Sequence, residues 1–361
     1  MNKVRFIAIY LPQYHPINEN DFAWGKGFTD WMNVKKAMPL YKGHYQPHIP
    51  HEDLGCYNLL DSGVIVKQAA MAKKYGIYGF AFYHYWFNGK RLLNQPLDNI
   101  LTSGKPDLPF CYIWANENWT KRWDGEDNEI IIKQEYSFED DLNHIQFLCD
   151  NVFPDRRYIT INRKPVFIVY KPFLFPNIKR TIEIWRKEAS KTSIKELYIV
   201  CMDNFLKGQK PDEAGFDATI HFQPDHRVFR NRLTENIFFG ILNKLKLRKS
   251  PFLNNLIYDY YEYSKLALNY YSEINYKCFP GVMPGWDNSA RRKTNALIFF
   301  DSTPEKYKIW LASILKAYNG FNSEENFVFL NAWNEWAEGN HLEPCIRWGY
   351  KYLQITKELS A

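Results

Sequence analysis

The sequence predicts an α/β fold: a (β/α)8 TIM barrel with long loop insertions after strands 1 and 6. Three observations predict it. About eight short runs rich in β-branched and aromatic residues recur along the 361 residues. Most alternate with helix-like segments, the mark of βα units and a parallel sheet. Several are apolar on both faces, as strands covered by helices must be. Eight such units favour closure into a barrel over an open sheet. Barrels with inserted loops reach this length as one unit, so residues 1–361 read as a single domain.

The first run covers residues 4–10. A loop over 11–61, dense in Trp, His, Gly and Pro, follows it. An amphipathic stretch (Val64, Ala69, Met71, Ala72, Tyr75) then stops at Gly76, a residue suited to a helix C-cap. The next runs lie at 78–84, 110–115, 166–170, 197–202 and 218–222. A second long connection, 223–278, reads as a helical insertion, and runs at 281–285 and 327–332 complete the set. Connections of this length are usually functional loops or small subdomains. No internal repeat or linker divides the chain.

Aromatic residues make up 17% of the chain, with 12 Trp, 25 Tyr and 26 Phe. Such residues suit a groove that must hold rings with apolar faces and hydroxyl edges. Drift in an AT-rich genome would raise Tyr and Phe as well, so position has to decide. The net charge of +6 is small and scattered, which argues against a nucleic-acid partner. Six isolated cysteines (Cys56, Cys111, Cys149, Cys201, Cys278, Cys345) show no Cys-x-x-Cys spacing. Met1-Asn2-Lys3 leads straight into a strand-like segment without the pattern of a signal peptide. The expected location is therefore cytoplasmic, with reduced thiols.

Barrel chemistry belongs at the C-terminal ends of the strands. Read to their ends, the strands deliver Tyr14 and His15, then His84 and Trp86, then Trp114, Asn116 and Glu117. Later strands end in Asp203-Asn204, in Trp286-Asp287-Asn288 and in Trp333-Asn334-Glu335-Trp336. Aromatic and hydrogen-bonding groups thus gather on one face, and this tips the aromatic excess toward sugar binding. Cleavage of a glycosidic bond needs two carboxyl groups. Glu335 and Glu338 stand one helical turn apart, and Gly339 permits a sharp bend after them. Glu338 as a first-turn helix carboxylate is the plainer alternative. Glu117 after Asn116 offers a rival pairing with Glu335 across the barrel, or a partner for Arg122.

His44, His48 and His51 cluster, but Pro47 and Pro50 break any helix that would align them for a metal, so neither a metal nor another cofactor is expected. Nothing matches a phosphate-cradling glycine loop. Residues 227–249 interleave basic side chains (Arg227, Arg230, Arg232, Lys244, Lys246, Arg248, Lys249) with apolar ones. That pattern suits a helix packed on the barrel with its basic side in water, or peripheral contact with an anionic membrane surface.

Longer motifs carry a family resemblance. They are Tyr10-Leu11-Pro12-Gln13-Tyr14-His15-Pro16, Trp24-Gly25-Lys26-Gly27-Phe28-Thr29-Asp30-Trp31 and Gly43-His44-Tyr45-Gln46-Pro47-His48. Tyr83-His84-Tyr85-Trp86-Phe87-Asn88-Gly89-Lys90 and Trp114-Ala115-Asn116-Glu117-Asn118-Trp119-Thr120 extend the match over nearly the whole chain. Together they resemble the WbsX-type proteins, often labelled glycosyltransferases and found with bacterial O-antigen and capsule genes. That group resembles glycoside hydrolase family 99, the endo-α-mannosidases and endomannanases, through Asn334-Glu335-Trp336-Ala337-Glu338-Gly339 and Leu342-Glu343-Pro344.

The resemblance implies a retaining reaction in which the sugar's own 2-hydroxyl attacks the anomeric carbon. Glu335 would take that hydroxyl's proton, and Glu338 would assist departure and then activate water. Ala337 replaces a histidine usual in that family, and Glu343 matches a family glutamate that would at most touch substrate. Asn334, Trp336 and Glu343 join the groove residues on this basis. The implied substrate is an α-linked, manno-configured oligo- or polysaccharide, a lipid-linked form included, met in the cytoplasm or at the inner face of the membrane. A sugar-nucleotide glycosyltransferase and a catalytically inactive glycan-binding module are the two alternatives.

Overall fold

The computed structural model describes residues 4–121, 129–233, 251–292, 294–318 and 320–360. Its main sheet is a nearly closed ring of parallel strands. In chain order these are β1 (Arg5–Tyr10), β2 (Ile77–Phe87), β3 (Phe110–Trp114), β4 (Lys164–Val169), β5 (Tyr198–Met202) and β6 (Ala218–Ile220). The short pieces β7 (Cys278–Phe279) and β8 (Gly281–Val282) follow, and then β9 (Phe327–Leu330). Each of β1 to β6 pairs in parallel with the next, and β9 returns to pair with β1.

The seventh position of the ring is split at Pro280. Cys278 and Phe279 pair with β6, while Gly281 and Val282 pair with β9. Proline has no N–H to give the ladder, but its carbonyl still accepts one from Phe329 (2.9 Å). Gly281 is required here, because a Cβ would stand 2.3 Å from the carbonyl oxygen of His221. The expected run at 281–285 is therefore shorter and begins earlier than the sequence pattern suggests.

Helices cover the ring: α1 (Ser62–Lys74), α2 (Gln95–Ser103), α3 (Phe138–Asn151), α4 (Ile178–Ser190), α5 (Tyr260–Glu273), α6 (Pro304–Ala317) and α7 (Lys351–Leu359). Helix α1 ends before Gly76, which takes φ +81°. Helix α3 starts where the Ser137 hydroxyl accepts from the Asp140 amide (3.0 Å), with Glu139, Asp140 and Asp141 answering the helix dipole. No α-helix separates β5 from β6. All six cysteines are free.

Two features were not expected from sequence. Strand β2 runs on to Phe87 and turns back through Asn88 and Gly89 (φ +46° and +85°) into Lys90–Leu92. Positive φ at two successive residues is what Asn-Gly supplies in a tight hairpin. The described part of 223–278 holds a strand, Leu256–Asp259, as well as helices, and this strand pairs in parallel with Leu297–Phe300. Most of the basic run lies at 234–250, outside the described residues. Of its earlier members, Arg227 pairs with Asp203 and Asp225, and Arg232 donates to the carbonyls of Phe252, Leu253 and Asn255. No helix among the described residues is long and apolar enough to cross a membrane.

Candidate active site

Beyond β9 the chain forms a compact carboxylate loop. Asn334–Glu335 pairs antiparallel with Asn340–His341, and a single 3-10 turn, Trp336–Glu338, joins them. Gly339 closes the turn at φ +57°, in the left-handed region. Asn334 fixes the loop's base, since its side-chain amide accepts from the Leu11 amide (2.8 Å) and donates to the Leu11 carbonyl (3.0 Å). The Tyr14 hydroxyl accepts from the Trp336 amide (3.0 Å).

The turn brings Glu335 and Glu338 to one cavity of about 130 Å³ at the C-terminal ends of the strands. Its wall also includes Tyr83, Tyr85, Glu117, Tyr170, Phe222, Trp286 and Arg291. Glu335 is 8% exposed and hydrogen-bonds to Glu338. Burial, then the neighbouring Glu338 charge, holds the Glu335 carboxyl well above the usual range. Glu338 instead accepts from Arg291 Nη1 (2.7 Å). The rest of that guanidinium grips Asp30, which is fully buried and also receives Gln13 and Asn33 (both 3.1 Å). Burial thus favours a proton held on Glu335, while the Arg291 guanidinium faces Glu338.

Glu343 lies under the loop, 1% exposed. It accepts from Trp336 Nε1 (2.6 Å), Gln68 Nε2 (2.6 Å) and the Tyr57 hydroxyl (2.9 Å). Burial pushes its carboxyl from 4.5 up to about 7, against the pull of these donors. The folded chain keeps a proton that the unfolded chain releases. The stability this gives is complete below the ordinary pKa and is lost as pH rises through about 7. Glu343→Gln mimics the protonated form. Relative to that variant, the native protein should lose about 3 kcal/mol between pH ~4.5 and ~8 in thermal or urea unfolding. A difference flat with pH would contradict the assignment.

The structure brings only some of the sequence-predicted residues to the cavity. Glu335, Glu338, Glu117 and Trp286 line the cavity, Glu117 in an ion pair with Lys171. His84, Trp86 and Trp114 do not, because side chains on a strand alternate. Tyr83 and Tyr85 face the cavity, so His84 and Trp86 face α3. There His84 meets His144 (3.1 Å), Trp86 donates to Asp140 (2.7 Å), and Trp114 packs edge-on to His144. Asn116 ties strand ends together through the Lys171 backbone (2.7 and 2.8 Å). Tyr14, Asn334, Trp336 and Glu343 form the buried support of the carboxylate loop, and His15 is buried against the Pro16 carbonyl (3.2 Å). Arg122 lies outside the described residues.

Sequence reasoning missed Tyr83, Tyr85, Tyr170, Arg291 and Asp30. The two tyrosines of β2 alternate with His84 and Trp86 in a strand buried on both faces, so no alternation of apolar and polar residues marks them out. No local signal joins Arg291 to Asp30. Among the described residues no group of His, Cys, Asp and Glu is set to hold a metal. His44 accepts from the Leu40 amide at Nδ1 (2.9 Å), so its Nε2 donates to Asp287 (2.6 Å).

The family described as glycosyltransferase WbsX matches residues 6–356. The chain belongs to the WbsX family. Two proteins named WxcX, from two strains of Xanthomonas campestris pv. campestris, are each 37% identical to this WbsX chain over 360 residues. That covers 98% of this chain and 49% of theirs, so it spans about half the length of the curated relatives it matches. Among solved structures it is similar to a family 99 endo-α-mannosidase from Bacteroides thetaiotaomicron, with a TM-score of 0.58 at 15% identity, covering 98% and 96% of the two chains. A glycoside hydrolase-like protein gives 0.61 at 16%, covering 99% and 94%. At these identities the likeness is one of fold.

Proposed function

We propose that this WbsX chain is a carbohydrate-active enzyme, one catalytic domain that cleaves or transfers α-linked, manno-configured residues of a bacterial surface polysaccharide. The single observation that carries this reading is the hydrogen-bonded pair Glu335–Glu338 in a tyrosine-lined cavity at the strand ends. Two carboxyls in hydrogen-bond contact are closer than the roughly 5–9 Å that separates the acid and its partner in ordinary glycosidases. A nucleophile reaching one face of the ring and an acid reaching the other would stand further apart. Adjacent carboxyls suit adjacent substrate atoms, the 2-hydroxyl and the glycosidic oxygen.

In this reading the stored proton passes from Glu335 to Glu338 along their hydrogen bond as substrate displaces it. Glu335 then accepts the 2-hydroxyl proton while O2 forms its bond to C1. The C1–O bond to the leaving group breaks, and its oxygen takes the proton from Glu338. An incoming water or sugar hydroxyl gives its proton to Glu338 as it bonds to C1, and O2 recovers its proton from Glu335. Arg291 keeps Glu338 able to lose and regain charge, and the net configuration at C1 is retained. Tyr83, Tyr85 and Trp286 offer flat faces to the sugar rings.

The pair is active only while it holds one proton. Glu335 gives that proton up well above the ordinary carboxylate range, so the alkaline limb of kcat/KM should lie above it too. Incubation with bacterial mannose-containing polysaccharides, with product anomers read by NMR, tests the reading. Inverted product, or a profile that falls near pH ~4.5 with no higher limb, would reject it.

The family's description supports a second reading, a sugar-nucleotide glycosyltransferase in O-antigen or capsule biosynthesis. Saturable calorimetric binding of a nucleoside-diphosphate sugar, with none of mannosides, would favour it.

A further inference from the structure

A second cavity of about 240 Å³ adjoins the first, and Trp286 lines both. Its walls come from the 41–48 loop, from 284–287 and 298–303, from Gly339 and His341, and from Arg347, Trp348 and Tyr352. Tyr41, Tyr45, Trp286 and Trp348 give it aromatic surfaces. Its charges are unevenly committed. Asp301 is paired with Lys306 (2.6 Å). Asp287 spends one oxygen on His44 and Gln46 (2.6 and 2.8 Å) and the other on the Ser289 amide (3.0 Å). His341 donates from Nδ1 to the Glu343 carbonyl (2.9 Å), so its Nε2 accepts from His48 (2.9 Å), and burial keeps both imidazoles neutral.

The two cations are in the opposite condition. Among the described residues, neither Lys42 nor Arg347 has a carboxylate within ion-pair distance, and both are exposed. The Arg347 guanidinium is held over the rings of Tyr45 and Trp348, 4.5 and 4.7 Å from their centres. The two rings hold the group in place, and no hydrogen bond to a described residue takes up its N–H groups, which suits bidentate recognition of carboxylate or phosphate.

We propose that this cavity binds an acidic residue of the glycan, its carboxylate or phosphate held by Arg347 and Lys42 and its ring laid against the shared Trp286. The inference rests on the glycan-active reading and adds a substrate class to it: anionic polysaccharides, bearing uronic acid or phosphate. A neutral chain would leave both cations without a partner.

The test uses Glu335→Gln protein, so that binding is read without turnover. Calorimetry compares matched sugars in the manno, gluco and galacto series: the neutral disaccharide, its uronic acid and its 6-phosphate, with inorganic phosphate alone as a further arm. The expected result is at least tenfold tighter binding of the acidic sugars in one or more series. That preference should vanish in Lys42→Gln/Arg347→Gln and shrink with added salt. Equal binding of neutral and acidic sugars, binding of none, or a preference that survives the double substitution would each overturn the proposal. Inorganic phosphate binding as tightly as the sugar phosphate would do the same, marking a simple anion site. Wild-type turnover is measured separately. Its absence alongside an intact acid preference would reject only the catalytic reading, and turnover without the preference would reject only this one.

Discussion

Glu335→Gln and Glu338→Gln are each expected to lower kcat/KM on a cleaved glycan by about a thousandfold or more, with KM changed far less. General acid–base assistance is ordinarily worth about 10²- to 10⁴-fold, and here both carboxyls serve the same two bonds. Because they act as a unit, the double variant should be little worse than either single one. Folding is not expected to suffer in Glu335→Gln, since a carboxyl already protonated in the free site is well mimicked by an amide. The two variants should differ in rescue. On a substrate whose leaving group departs without an acid, such as a glycosyl fluoride, added azide or formate can take the place of water at C1 without a base from Glu338, so Glu338→Gln should recover part of its rate and Glu335→Gln should not. Near-native rates in both variants would end the assignment. A rate lost in Glu335→Gln and in Glu117→Gln but kept in Glu338→Gln would favour the rival pairing of Glu117 with Glu335.

What sequence could reveal depended on how local each feature is. The carboxylate pair was legible because it lies within four residues, and the φ +57° of Gly339 is a demand that glycine announces. The strand order was legible because βα alternation leaves few topologies. Parity was not. The run Tyr83-His84-Tyr85-Trp86 is aromatic at every position, so nothing in its composition says which pair enters the barrel. The structure sends the tyrosines inward, and the helix side takes His84 and Trp86 because α3 offers them Asp140 and His144. Ring closure was blurred for a similar reason, since Pro280 divides one strand position into two pieces too short to show a pattern. Tertiary chemistry was the least visible. Arg291 and Asp30 are 261 residues apart, and neither sits in a context that names the other.

That remote pair carries the largest expected effect on stability. Arg291→Ala should cost about 3–5 kcal/mol, because Asp30 would keep its charge at 0% exposure with only the Gln13 and Asn33 amides as donors. If the penalty is that of an unpaired buried charge, then removing the charge should relieve it. Asp30→Asn in the Arg291→Ala background is therefore expected to be more stable than Arg291→Ala alone, although each single substitution destabilises. Arg291→Lys separates the structural role from the chemical one. An ammonium can answer Asp30 as a point charge, but it cannot grip Asp30 with two N–H groups while giving a third to Glu338. The lysine variant should thus recover much of the lost stability while leaving Glu338 without its donor. Its kcat/KM should stay well below wild type, with the pH profile displaced upward, since drawing the cation away from Glu338 toward Asp30 favours the protonated carboxyls. Urea unfolding and the pH dependence of kcat/KM measure the two effects independently. A loss below about 1 kcal/mol in Arg291→Ala, with no recovery from Asp30→Asn, would mean that water already reaches this site. The electrostatic account of the Glu335–Glu338 pair would then have to be rebuilt without a fixed arginine beside it.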